Sequence, residues 1–438
     1  MAEMSGTRLE RSTGSYVRED VEARASRDPE WLRAARLAAF EAWERLPLPT
    51  TRLEEWRYTD PRLLSWDKVT PVPLTDTKID PATHEETYTG RAAARVVQAN
   101  GNTAHIELDP VWQAKGVVLM DLAQAARVHE KVIQEHLGKY APAEADKFTA
   151  LNTAYWSGGV FLHVPRGVRM EEPVRIVRWI DHAGAAVFPR TLVVAGEGSH
   201  VGVVEEFRSR DFETPVFVCG VVELIADAAA DVQYVTLQRL GANVRQLSIQ
   251  RTTARRDANL DTLAVNLGGK VARVDLAASL EGTGARSDML GLYFGQADQH
   301  FDHNTRQDHK VAHASSDLLY KGGLDDRSKA VFRGLIRVWP KAQRTDAYQT
   351  NRNLLLSKQA QATSLPNLEI QADDVRCSHA ATVGHLDDEE LFYIMSRGVP
   401  RKDAERLVVF GFFGEVLDRL PMPDVVRELR SEIEAKIG

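Results

Sequence analysis

Apolar and polar positions divide the chain into three regimes. Near the N-terminus, Leu32, Ala35, Ala39, Trp43 and Leu46 recur at helical spacing. Asp28 offers an N-cap and Pro29 suits the first helical position, so the pattern predicts a helix that Pro47 and Pro49 end. From about residue 160 to about residue 383 the period shortens. Val193-Val194, Val201-Gly202-Val203-Val204, Val216-Phe217-Val218 and Val232-Gln233-Tyr234-Val235 are short β-rich runs separated by small or polar residues. Helical spacing returns near the C-terminus. Asp387 or Asp388 can cap a short helix through Met395, and a second helix runs from Asp403 to Leu420 with apolar residues on more than one face. After Pro421-Met422-Pro423, Val426, Leu429, Ile433 and Ile437 form one stripe.

A long all-β middle means a sandwich, a barrel or a solenoid. A weak repeat favours the solenoid. Small-residue corners at Gly198, Ala229, Asp257 and Gly284 are each followed three residues later by a position that is apolar in three copies and Ser287 in the fourth. Stacked units of this kind bury their apolar faces against one another and turn on small residues. The expected fold is therefore mainly β: a parallel, right-handed β-helix core over 151–385. An N-terminal helical and mixed region over 1–150 and a C-terminal helical region over 386–438 flank it.

Composition narrows the function. The 438 residues carry a net charge of −7, so no basic excess points to nucleic acid. The longest strongly apolar run, Val408-Val409-Phe410-Gly411-Phe412-Phe413, falls far short of the ~20 residues that span a bilayer. The two cysteines, Cys219 and Cys377, are too few for a disulfide framework, and Met1–Gly6 holds no apolar leader. A cytoplasmic protein is expected. No GxxxxGK[ST] phosphate loop, GxSxG elbow or CxxC pair occurs. Carboxylates are scattered rather than aligned in a groove, against a polysaccharide-cleaving β-helix. Hence no enzymatic activity is expected.

Two places could carry metal chemistry. Cys377 and His379 are two apart, so a strand would place both on one face, where a thiolate and an imidazole can hold iron or zinc if a partner completes the shell. Equally, both could be structural, since free cysteine is commonly a small core residue. His300, Asp302, His303, Asp308, His309 and His313 form a second dense group, read chiefly as polar edges or a subunit seam. Gln343, Gln349, Asn351 and Asn353 read as amides that satisfy one another on successive rungs. Cys219, in an apolar run, reads as a buried, inert thiol.

Several blocks resemble the SufB–SufD family. They are residues 48–59 (LPTTRLEEWRYT), 148–159 (FTALNTAYWSGG), 349–357 (QTNRNLLLS), 373–384 (DDVRCSHAATVG) and 392–398 (FYIMSRG). Within it the chain resembles the SufD branch. Asn351 stands where the SufB-type paralogue has a cluster-building cysteine, Ala380 stands where it has a glutamate, and Cys377-Ser378-His379 has the SufD-type form. The resemblance implies a subunit of an iron–sulfur cluster assembly complex with a SufB-type subunit and a SufC-type ATPase. The ATPase docks on the C-terminal helices and the two β-helices pair. No tightly bound cofactor is implied, only transient iron or a nascent cluster at the interface with SufB, where His379 and Cys377 would be the metal-handling residues. The alternative is a SufB-type scaffold that binds the cluster directly. An exposed end strand would also let the isolated chain pair with itself.

Overall fold

A computed structural model describes residues 15–74 and 91–437. The opening Met1–Gly6, read as holding no apolar leader, lies outside the described residues. Among the described residues the strands form two sheets of eleven and ten, and from Arg190–Ala195 onward consecutive strands alternate between the two. Eight strands of each sheet run parallel, from Val160–Val164 to Gln361–Ile370 in the first and from Val174–Ile180 to Arg376–His385 in the second. This is a parallel β-helix of about eight turns.

The corners foreseen at Gly198, Ala229, Asp257 and Gly284 are turns of the solenoid. All four have left-handed backbone, with φ of 65°, 57°, 57° and 76°, and the series continues at His313 and Arg344. A non-glycine residue there costs about 1–2 kcal/mol. Stacking offsets it: Ala229 N–H donates to the Arg256 carbonyl at 2.8 Å, and Asp257 N–H to Thr283 at 3.0 Å, so each corner is tied to the next turn. Ser287, the copy that departs from the apolar rule, is buried, and its hydroxyl donates to the Leu260 carbonyl one turn earlier at 2.9 Å. A satisfied hydroxyl costs the interior little.

Alternate residues of each strand point inward. Near the C-terminal end the interior is filled by large and small partners across adjacent strands. Tyr320 lies beside Gly291 and Tyr293 beside Gly322 in register; a Cβ on Gly322 would come 1.9 Å from the Tyr293 ring.

Both outer faces are covered in part. Helix Glu30–Arg45 and helix Lys147–Tyr155 pack Phe40, Trp43, Phe148 and Leu151 against Phe217, Cys219, Leu247 and Ile249 of the first sheet. Asp28 does not cap the first of these helices. Its carboxylate accepts from Arg36 Nε at 2.6 Å, because Arg36 is itself buried and needs a counter-charge. The buried face accordingly runs through Leu32, Arg36, Ala39, Phe40 and Trp43, and Ala35 is exposed. Cys219 is fully buried, and burial pushes its thiol pKa up, as an inert core cysteine requires.

The N-terminal region also supplies strands. Ala94–Ala99 and Asn102–Leu108 form an antiparallel hairpin whose first strand pairs with Val174–Ile180 of the solenoid. With Trp112 and Leu119 it closes that end of the core. At the other end of the chain, Asp387 caps helix Asp388–Met395 by accepting from Glu389 N–H at 2.9 Å. Helices Arg401–Leu417 and Pro423–Ile437 bury Val409, Phe413, Val416, Val425, Leu429 and Ile433 on Val235, Leu263, Leu292 and Leu319 of the second sheet. The last helix is turned slightly from the expected stripe, with Val425 rather than Val426 fully buried.

Candidate functional site

The C-terminal end of the β-helix has no closing element among the described residues. Strand Gln361–Ile370 is the edge of the first sheet and Arg376–His385 the edge of the second. In register, Ile336 and Val338 face the core fully buried, while their partners Leu368 and Ile370 on the edge strand are 37% and 41% exposed. Val383, beside the buried Asn353, is 45% exposed. These side chains occupy inward positions of a turn that no described residue covers.

Cys377 and His379 belong to this same end. Both lie on Arg376–His385 at inward positions, as the spacing requires, beside the buried Ala347 and Gln349. Cys377 is half-buried against Ile336, Val338 and Ala342. Burial, with a contribution from Asp346, raises its thiol pKa above the usual value. The thiol is therefore protonated at neutral pH, and metal binding would have to displace that proton. His379 is exposed. Two such groups can supply at most part of a metal shell. Among the described residues no group of three or more His, Cys, Asp or Glu side chains converges.

The second histidine group is dispersed by the strand's alternation. On His300–His309, His303 and His309 point inward while His300, Asp302 and Asp308 point outward, and His313 sits in a corner. Each inward ring is held structurally. His303 stacks on Tyr293 with centroids 4.5 Å apart, and its Nε2 lies 3.0 Å from Asn266 Oδ1. His309 Nε2 lies 2.8 Å from Ser316 Oγ, which donates to Gln307 Oε1 at 2.6 Å. Burial holds their pKa values at about 3 and about 4, so both rings are neutral at physiological pH. His300 Nε2 meets Thr59 Oγ1 at 2.8 Å and ties the N-terminal segment to the outer face.

The amide row differs from the expected ladder on successive rungs. Gln349, Asn351 and Asn353 lie on one strand and point inward, whereas Gln343 is at a corner, where it accepts from Asp374 N–H. Asn353 Nδ2 donates to Asn351 Oδ1 at 2.8 Å, Asn351 Nδ2 to Tyr293 OH at 3.1 Å, and Tyr293 OH to Asn353 Oδ1 at 2.6 Å. This closed ring of three side chains fixes Asn351 as a buried structural amide.

A second exposed surface lies on the C-terminal helices. Phe392 is 73% and Leu407 56% exposed, with Tyr393 and Met395 beside them in sequence or space. A recess of about 370 Å³ beside Leu407 is lined by Ile394, Leu407, Val408 and Phe412 with the acids Asp387 and Glu390. The sequence pattern showed the apolar excess of these helices; what it lacked was which side chains the core would take.

Comparison with known proteins places the chain. The family described as "SUF system FeS cluster assembly, SufBD core domain" matches residues 178–412, and "SufBD protein N-terminal region" matches residues 15–176. An iron-sulfur cluster assembly SufBD family protein of Staphylococcus haemolyticus is 29% identical over 97% of this chain and 94% of its own length. The iron-sulfur cluster assembly protein SufB of Bacillus subtilis is 28% identical over 98% of this chain and 95% of its own length. A solenoid with one open end, matched over nearly its whole length by such relatives, belongs to the SufBD family of iron–sulfur cluster assembly proteins.

Proposed function

We propose that the chain is a SufD-like, non-catalytic subunit of a cytoplasmic assembly complex, and that its open end receives a SufB-type solenoid. The observation that carries this reading is the uncapped last turn. Leu368, Ile370 and Val383 are core positions left in solvent, and two edge strands leave backbone donors and acceptors unpaired. A second β-helix ending the same way supplies both the apolar cover and the strand pairing. His379 and Cys377 then lie in the seam, where a partner's ligands complete a transient iron or cluster site. The apolar surface around Phe392 and Leu407 suits a SufC-type ATPase.

A SufB-type scaffold is the second reading, favoured by the similarity to the B. subtilis protein of that name. Asn351 weighs against it, since an amide locked to Tyr293 and Asn353 offers no thiolate. Anaerobic reconstitution of the isolated chain with iron and sulfide separates the two. The SufD-like reading expects no stable visible chromophore from the chain alone, together with co-purification of both partners when the three are co-expressed. A stoichiometric cluster on the isolated chain would overturn it.

A further inference from the structure

The outer face of the first sheet carries a recess of about 390 Å³, remote from the C-terminal helices and bounded on one side by Glu54 and Glu55. That is within the size range of small-ligand sites. Four arginines line it: Arg251, Arg306, Arg333 and Arg337. Three have acidic neighbours. Arg251 meets Asp275 at 2.8 Å, Arg337 meets Glu369 at 2.9 Å, and Arg333 reaches Glu54 at 3.4 Å and Glu55 at 4.0 Å. Arg306 has no hydrogen-bond or ion-pair partner among the described residues. It stands beside Leu335 in register, one strand over from Arg333, whose Nε is buried and also unpartnered among the described residues.

Like charge crowds Arg306 further. Desolvation, then the nearby Arg251, lowers its pKa, with Arg337 adding to this and Asp308 and Asp275 opposing it. Arg306 makes no direct ion pair among the described residues, while the carboxylates that share the lining, Asp275, Glu369, Glu54 and Glu55, are engaged by the other three arginines. The planar fork of arginine matches carboxylate and phosphate oxygens two at a time. The strand fixes the Arg306 backbone, and its exposed side chain is ordered by the anion on binding.

We propose that this recess binds a small polyvalent oxyanion, a polycarboxylate or a polyphosphate, with Arg306 as its principal donor and Asn304 and Asn367 at its margins. The site lies on the outer face and reaches the edge strand of the docking end through Asn367 and Glu369, but its anion binding stands whether or not the SufD-like reading does.

The test is isothermal titration of the full chain at low ionic strength with pyrophosphate, tricarballylate and acetate. Pyrophosphate or tricarballylate saturates at one per chain, and the stronger of the two tells a phosphate from a carboxylate ligand; acetate binds at least about tenfold more weakly. Arg306→Gln, an exposed position whose loss should leave the melting temperature unchanged, weakens the polyvalent anion about tenfold or more, the loss of one charge-assisted contact. Leu335→Glu, which sets a carboxylate next to Arg306, removes binding, and Arg166→Gln on a distant surface leaves it intact. Absence of saturable binding by both polyvalent anions, or equal affinity in Arg306→Gln and the unaltered chain, would overturn the proposal.

Discussion

His379 lies directly beside Gln349 in the parallel register of the last two strands of the second sheet, yet Gln349 is fully buried and His379 is exposed. One step along the solenoid converts a core position into a surface one. His379→Ala should therefore leave the fold intact while lowering cluster yield in the reconstituted complex with SufB- and SufC-type partners. Unchanged yield with intact assembly would remove His379 from iron handling.

Ile370 and Val383 give the docking end its apolar character. Ile370→Lys and Val383→Asp together should weaken association with the SufB-type subunit by a hundredfold or more, at roughly 1–2 kcal/mol per lost apolar contact. The melting temperature of the isolated chain should not fall. Sedimentation of the mixture at several concentrations reads the first effect, and calorimetry the second. Association as strong as that of the unaltered chain would place the partner elsewhere.

Removal of everything after Met395 is a poor probe of ATPase docking. It would strip Phe413, Val425, Leu429 and Ile433 from the second sheet and expose its outer face. Phe392→Asp with Leu407→Asp alters only exposed side chains. That pair should abolish co-purification of the SufC-type subunit while the chain still melts cooperatively. Retention of the ATPase would move its dock off these helices.

Gly322→Ala should cost about 1–3 kcal/mol, because its Cβ would meet the Tyr293 ring inside a close-packed interior. Tyr320→Phe should be nearly neutral, since the Tyr320 hydroxyl is buried with no hydrogen-bond partner among the described residues. Urea titrations of the two variants should differ clearly. Equal midpoints would mean that this interior relaxes more freely than its packing implies.

The buried histidines predict acid sensitivity. His303 and His309 have folded pKa values of about 3 and about 4, below the ordinary 6.5, so between these limits the unfolded chain binds the extra protons. The stability they contribute is present above pH 6.5 and is lost as pH falls toward 4, at up to about 1.4 kcal/mol per pH unit for each ring. Asp261, raised to about 6 by burial and by Asp288, acts in the opposite sense, losing stability as pH rises from about 4 to 6. His303→Gln with His309→Gln should flatten the urea midpoint's dependence on pH between 6.5 and 4. An unchanged slope would assign the acid sensitivity to other groups.

The solenoid was legible in the sequence because its corners recur. Gly198, Ala229, Asp257 and Gly284 mark turns that the structure confirms by their left-handed backbone. The N-terminal hairpin was missed, although Asn100-Gly101 between apolar runs is a strong two-residue turn signal, and both residues have positive φ. Spacing placed Cys377 and His379 on one face. It could not tell that they occupy the uncovered last turn, because exposure there is set by the absence of a further stacked layer rather than by the strand's own residues. The histidine group, read chiefly as polar edges or a subunit seam, is divided by the strand's alternation, which buries His303 and His309 inside the coil, and Asp28 looked like a cap because Arg36 gave no sign of burial.

The hairpin at one end and the bare turn at the other have a consequence for assembly. Among the described residues the last turn is the one left bare, so in the proposed complex a unit that has met a partner there has no second bare turn to offer, which favours a pair over head-to-tail growth.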